Sequence, residues 1–227
     1  MFRRVVVAGV ALVAFQIAVW ANGVAIPSSS PAPNARARTP AEMAAEVYNS
    51  GIGHRDKAMK AESDAKKAKK DSDREKNEKK ANEEFGKALK DFQRAVELNP
   101  NLPEAYNGLG FTYRKMGDYS KALANYDQAL QLAPKFVDAI EYRGEAYLAL
   151  DRIDDAKQAY LALFAMDRKQ ADLLMKAMQD YVARKKADPA GLDPAALSAL
   201  EKWIAERSGV ADATRAMGLH HAHSTWH

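Results

Sequence analysis

Four of the five histidines crowd the carboxyl end, His220, His221, His223 and His227, and imidazole clusters bind zinc, copper or nickel through neutral ring nitrogens. A structural zinc site brings its ligands from a framed hairpin or helix with hydrogen-bonded support behind them. This tail has no such frame, and the chain has no cysteine, so the expectation is adventitious affinity and no metal site. The fifth histidine, His54, stands in an alanine row and reads as packed or capping rather than as a base. Carboxylates are plentiful but follow helix-surface spacing. The chain contains no glycine-rich phosphate loop, no G-x-S-x-G, no H-E-x-x-H and no cysteine nucleophile. The expectation is a non-enzyme with no cofactor. A net charge of +4 over 227 residues gives no reason by itself to expect nucleic acid, whose partners usually show a concentrated basic face.

If the chemistry is recognition, the elements that present it matter most, and the clearest are in Pro103–Phe136. Tyr106, Leu109, Gly110, Tyr113, Ala122, Tyr126, Ala129 and Pro134 follow the spacing aromatic-x2-Leu-Gly-x2-Tyr, then Ala-x3-aromatic and a closing proline. Gly110 and Ala122 are small where two helices of one hairpin would cross, and Leu109, Tyr113 and Tyr126 fill the space beside the crossing. Gly117-Asp118 breaks the first helix, and Pro134, which has no N–H to donate, ends the second. The stretch resembles one complete tetratricopeptide repeat. One period later come Gly144, Tyr147, Ala156 and Tyr160, so a further unit is expected over Val137–Gln170, with Arg143 in place of the leucine and Arg168 in place of the proline. One period earlier, Ala88, Phe92, Ala95 and Pro100 repeat the second helix alone. The fold expected is all-α, an α/α superhelix of two to three such repeats plus a capping helix.

The resemblance implies a concave groove lined by the first helix of each hairpin. Its lining would include Glu104, Asn107, Phe111, Arg114 and Lys115 from the complete repeat, with Asp138, Glu141, Tyr142, Glu145 and Leu148 from the next. Asn107, Phe111, Arg114, Glu141, Tyr142 and Glu145 are the candidate peptide-binding residues: amide and guanidinium to bond a backbone or carboxylate, rings to hold an apolar anchor, acids to favour Lys or Arg in the ligand. Members that grip chaperone tails clamp a terminal aspartate with Lys, Asn and Arg. Here the aligned positions of the later repeat carry Asp138 and Tyr142, so that specificity is not implied.

Ahead of the repeats, residues 1–25 read as a signal peptide: Arg3 and Arg4, an apolar run from Val5 to Trp20, then small residues with cleavage points after Ala21 or Ala25. The protein is expected in the periplasm or secreted, or else held at the inner membrane by an uncleaved signal anchor, its one expected membrane contact. Residues 26–40, rich in proline and serine, read as a disordered linker. Residues 41–80 form a long charged helical extension, the solenoid occupies 81–186, and 187–227 hold a C-terminal helix and the histidine tail.

In the extension, Val47, Gly51, His54, Ala58, Ala61, Ala65 and Ala68 make one coiled-coil-like seam; Ala81, Phe85, Ala88, Phe92 and Ala95 make a second in another phase. Ser72 and Glu75 have capping-box spacing between them. Two arrangements fit: a long Ala-rich helical hairpin, the first repeat with its helices stretched by an inserted charged tip, or a single rod about 87 Å long at 1.5 Å per residue, with the hairpin preferred. The eleven basic and seven acidic residues of Arg55–Lys80 read as a solvated tip with mixed-sign pairs. Beyond the repeats, Leu174, Ala177, Met178 and Tyr181 share one face of a cap, Lys185–Gly191 reads as a loop, and a last helix from Asp193-Pro194 is expected to end before Gly209. The function expected is a protein-interaction scaffold in the cell envelope, with a protein or peptide partner and no nucleic acid. The rival is a structural homo-oligomer built on residues 41–98.

Overall fold

A computed structural model describes residues 36–188 and 193–222, with the side chains of the last helix described to residue 214. The expected signal peptide, His223 and His227, and the side chains of His220 and His221 lie outside those described residues. What is described is a helical stack: α1 (Pro40–Lys67), α2 (Asp71–Leu98), α3 (Pro103–Lys115), α4 (Tyr119–Leu132), α5 (Val137–Ala149), α6 (Ile153–Met166), α7 (Arg168–Ala187) and α8 (Pro194–Ala222). None of the described helices is long and apolar enough to cross a membrane.

The start of α1 is fixed chemically. Thr39 Oγ1 accepts the Glu42 N–H at 3.2 Å, Glu42 Oε2 accepts the Thr39 N–H at 2.7 Å, and Pro40 opens the first turn. The chain then reverses at Ala68–Lys70, and α1 and α2 lie side by side as a long hairpin, the arrangement preferred from the sequence. Neither glycine nor proline is required at this tip because Ala68 and Lys70 are simply extended, with φ of −66° and −105°. The expected capping box there is not formed. Helix α2 begins at Asp71 behind an N-cap Lys70 that makes no side-chain cap, which places Ser72 inside the first turn.

The two seams face each other. Ala58, Ala61, Ala81 and Phe85 are buried together with Phe111 of α3, and Ala88, Phe92 and Ala95 join Tyr48 and Ile52. Alanine on both arms permits the close approach, and Gly51 makes it possible beside Phe92: a Cβ there would stand 2.7 Å from the ring. Gly51 thus does for α1 and α2 what Gly110 does for α3 and α4, where a Cβ would stand 2.6 Å from Tyr126. The first helix of the earliest repeat is therefore α1. It was not found by stepping back one period because the charged tip is inserted between it and Phe92.

Successive hairpins bury one another. Ala122, Tyr126 and Ala129 pack with Ala139 and Ala146 of the next unit, and Tyr106 and Tyr113 are half-buried against this layer. Leu109 belongs to the layer before it. Ala156 and Tyr160 pack with Leu174, Met178 and Tyr181 of α7, which closes the stack as the capping helix, while Gly144 sits under Leu174 and Tyr147 is half-buried. Pro134 is exposed at the turn it creates.

The two departures from the repeat pattern have physical explanations. Arg143 turns outward to Asp127, 2.7 Å away, and lies over Tyr147. In place of the proline, Asp167 ends α6 and caps α7, accepting the N–H groups of Lys169 and Gln170 at 2.9 and 3.1 Å. At the carboxyl side, α7 continues to Ala187, past the loop start expected at Lys185. Helix α8 docks through Leu200 and Ile204, with Trp203 edge-on to Tyr160 at 5.3 Å, and it runs through Gly209 to Ala222 rather than stopping. Gly209 and Gly218 cost the helix only about 1 kcal/mol each, no proline follows, and alanine recurs through the stretch.

Candidate interaction groove

The first helices of the hairpins, α1, α3 and α5, stand side by side, and α7 continues the row. Because the helical repeat returns a face every three to four residues, Glu104, Asn107, Phe111, Arg114 and Lys115 fall along one side of α3. Asp138, Glu141, Tyr142, Glu145 and Leu148 fall along the corresponding side of α5. The structure brings five of the six candidate residues into contact as one network. The Arg114 guanidinium pairs with the Glu145 carboxylate and lies 5.3 and 5.2 Å from the Phe111 and Tyr142 ring centres. Those rings meet edge to face at 5.3 Å. The carboxyl of Glu141 stands near enough to Glu145 and Arg114 to feel both electrostatically.

Asn107, the sixth, behaves differently. It is 0 % exposed, and neither its Oδ1 nor its Nδ2 has a hydrogen-bond partner. An amide left in this state costs roughly 1–3 kcal/mol, so the fold tolerates it rather than gaining from it. The hydroxyl of Tyr48 on α1 is likewise buried without a partner. Tyr48 was not singled out from sequence, since the seam reading had placed the important face of α1 at Val47 and Gly51. The equivalence of Gly51 with Gly110 would have found it, because three residues before each glycine stand Tyr48 and Asn107, and three before Gly144 stands Glu141.

The electrostatics of this column are set by crowded acids. Burial raises the Glu141 carboxyl to about 8; the Glu145 charge pushes in the same direction, Arg114 opposes it, and Asp138 adds a further push upward. Asp138 is itself raised by burial and accepts a hydrogen bond from Gln170 of α7 at 2.6 Å. The cations nearby are already engaged: Arg114 with Glu145, Lys115 with Glu62 of α1 at 2.5 Å, and Arg55 with Asp56 at 2.7 Å. A cleft of about 370 Å³ continues from Arg114 and Lys115 between α5 and α7 to Asp180 and Arg184. Among the described residues no three His, Asp or Glu side chains gather as a metal site requires.

Comparison with known proteins agrees with the repeat reading. Residues 103–136 match the profile of the tetratricopeptide repeat, and residues 77–117 match a second profile described as TPR repeat. No curated protein matches the chain. Among solved structures, the first TPR of Spaghetti (RPAP3), bound to the HSP90 peptide SRMEEVD, is similar at 19 % identity. It covers 56 % of this chain and 94 % of that one with a TM-score of 0.40. The Arabidopsis OM64 TPR domain is similar at 17 % identity, covering 60 % of this chain and 98 % of that one with a TM-score of 0.42.

Proposed function

We propose that the protein is a non-enzymatic interaction scaffold of the periplasm or cell envelope that holds a peptide segment of a partner protein against α1, α3 and α5. Repeats of this type usually serve as peptide-binding scaffolds without catalytic activity. The observation that carries the reading is the alignment of the first helices, whose candidate residues Phe111, Arg114, Tyr142 and Glu145 meet as one network of rings and charges on their shared side. The envelope location follows from Arg3, Arg4 and the apolar run behind them.

The rival reading, self-assembly through residues 41–98, needs a free seam. Here both seams are consumed within one chain, so the scaffold reading is favoured. A photo-crosslinking side chain at Lys115, on the groove side, is expected to trap a partner protein in envelope fractions, whereas one at the exposed Ala124 of α4 is not. Equal trapping at both positions would contradict the groove. The mass of the envelope form is expected to show cleavage after Ala21 or Ala25, and an intact amino terminus in the cytosol would refute the location.

A further inference from the structure

The α1–α2 hairpin reaches beyond the rest of the stack. Past Gly51, α1 runs sixteen residues to Lys67, whereas α3 runs five past the equivalent Gly110 to Lys115. At 1.5 Å per residue, the hairpin apex stands about 16 Å beyond the end of α3. On the flanks of this projection the charges pair as the sequence suggests, Lys60 with Asp64 at 3.2 Å and Arg74 with Asp71 at 2.5 Å. At the apex they do not. Lys66, Lys67, Lys69 and Lys70 are all exposed, and among the described residues none of these four ammonium groups has a carboxylate at ion-pair distance. The remaining acid of the first turn of α2, Asp73, lines the cleft between the arms together with Asp64, Lys67 and Lys76.

Helix physics accounts for only half of this cluster. Lys66 and Lys67 end α1, where a cation complements the carbonyl end of the helix. Lys69 and Lys70 stand ahead of α2, where the free N–H groups disfavour positive charge, and Lys70 occupies the N-cap without making a cap bond. Serine, aspartate or asparagine at that position would stabilise the helix. The turn thus forgoes local stability and keeps two exposed cations instead.

We propose that this apex docks on the surface of an anionic phospholipid bilayer. Four ammonium groups within five residues around a projecting turn make a compact convex patch, which meets a flat layer of phosphates better than it meets a groove. Lysine is a strongly hydrated point charge suited to such diffuse contact. The turn holds no aromatic ring to stack on a base, and no arginine or amide to read a base edge. It also lacks a large apolar side chain to enter the lipid, since its middle residue is Ala68. The contact is therefore peripheral and held by charge alone. It is independent of the groove reading.

The test uses the chain from Ile26, which retains every described element and lacks the apolar run that would enter lipid by itself. It is sedimented with vesicles of phosphatidylcholine, alone or with about one third phosphatidylglycerol. Retention is expected on the anionic vesicles only, falling at least about tenfold between about 50 and about 200 mM salt as the charges are screened. Each lysine beside such a surface contributes about a fivefold gain in partition, so Lys66→Gln, Lys67→Gln, Lys69→Gln and Lys70→Gln together should lower it about a hundredfold or more. Lys69→Gln with Lys70→Asp separates charge from structure. It supplies the missing cap, so the melting temperature should be equal or higher, while retention drops at least about twentyfold. No retention on anionic vesicles, equal retention on both kinds, or retention unchanged in the quadruple variant overturns the proposal. Tighter binding to soluble polyphosphate than to vesicles of equal phosphate content also overturns it and assigns the apex to a soluble polyanion. Crosslinking at Lys115 reads the groove separately from all of these outcomes.

Discussion

The unit α3–α4 and the unit α5–α6 reach the same hairpin shape by different chemistry. In the first, small residues and a glycine do the work: Gly110 under the Tyr126 ring, and Gly117 in the left-handed turn at φ 82°. In the second, that turn position is Asp151, the one described non-glycine residue with positive φ, at 56°. A left-handed conformation costs such a residue roughly 1–2 kcal/mol. Asp151 offsets this by accepting the Tyr181 hydroxyl at 2.8 Å and the Lys185 ammonium at 2.9 Å, both from α7. The residue that strains the turn thus ties the last repeat to its cap. A backbone role in one repeat has become a connection between layers in the next.

Four tests break or sharpen that contrast. The largest effect is expected at the helix crossings. Gly110→Ala sets a Cβ 2.6 Å from a rigid, fully buried ring and should cost about 3 kcal/mol in denaturant unfolding. Gly144→Ala meets the branched end of Leu174, which can shift, and should cost about 1 kcal/mol. Next comes the turn: Asp151→Ala keeps the strain and loses both bonds, with an expected loss of about 2 kcal/mol. Asp151→Gly, which relieves the strain, should lose less, and equal losses would show that the bonds to α7 alone matter.

The third prediction concerns the hairpin of α1 and α2, which is held by charge as well as alanine. The Glu84 carboxyl, almost buried, is pulled down to about 2 by its bond to His54 Nδ1 at 2.7 Å, then by Lys87 at 2.5 Å. A carboxyl lowered on folding contributes stability above its unfolded range near 4.3 and loses it as pH falls toward 2. Glu84→Gln should therefore be less stable than the parent by about 1 kcal/mol at pH 6, and the two should converge near pH 2 in thermal melts. The smallest effect is at Arg143, whose Nε is buried without a partner. Restoring the apolar residue with Arg143→Leu should stabilise by about 0.5 kcal/mol and reduce the salt sensitivity of unfolding that the Asp127 pair confers.

The contrast also explains what could be read from the chain. Pro103–Phe136 was legible because each of its marked residues has a steric reason tied to a fixed spacing. The unit after it was legible through Gly144, Tyr147, Ala156 and Tyr160, although Arg143 turns outward to Asp127 where leucine packs in the unit before, and Asp167 replaces the proline stop with a cap. The first helix of the earliest unit could not be reached by stepping back one period, since an insertion at the hairpin tip separates Gly51 from Phe92; it was legible only through the two seams, as one arm of a first repeat stretched by a charged tip. Of the groove, the candidate residues on α3 and α5 followed from position. That Arg114 is already paired, that Asn107 is not, and that Tyr48 completes the column depend on three helices meeting, which no local spacing encodes. The end of α8 was misjudged because a helix tolerates single glycines, here Gly209 and Gly218, when no proline follows.

The central claim is that stacked first helices hold a peptide on their shared side. Hydrogen exchange of the full chain, with and without the partner segment trapped by crosslinking at Lys115, tests it most directly. The account predicts slowed exchange in α3 and α5, with α4 and α6 unchanged; protection confined to α4, α6 or α8 would contradict it.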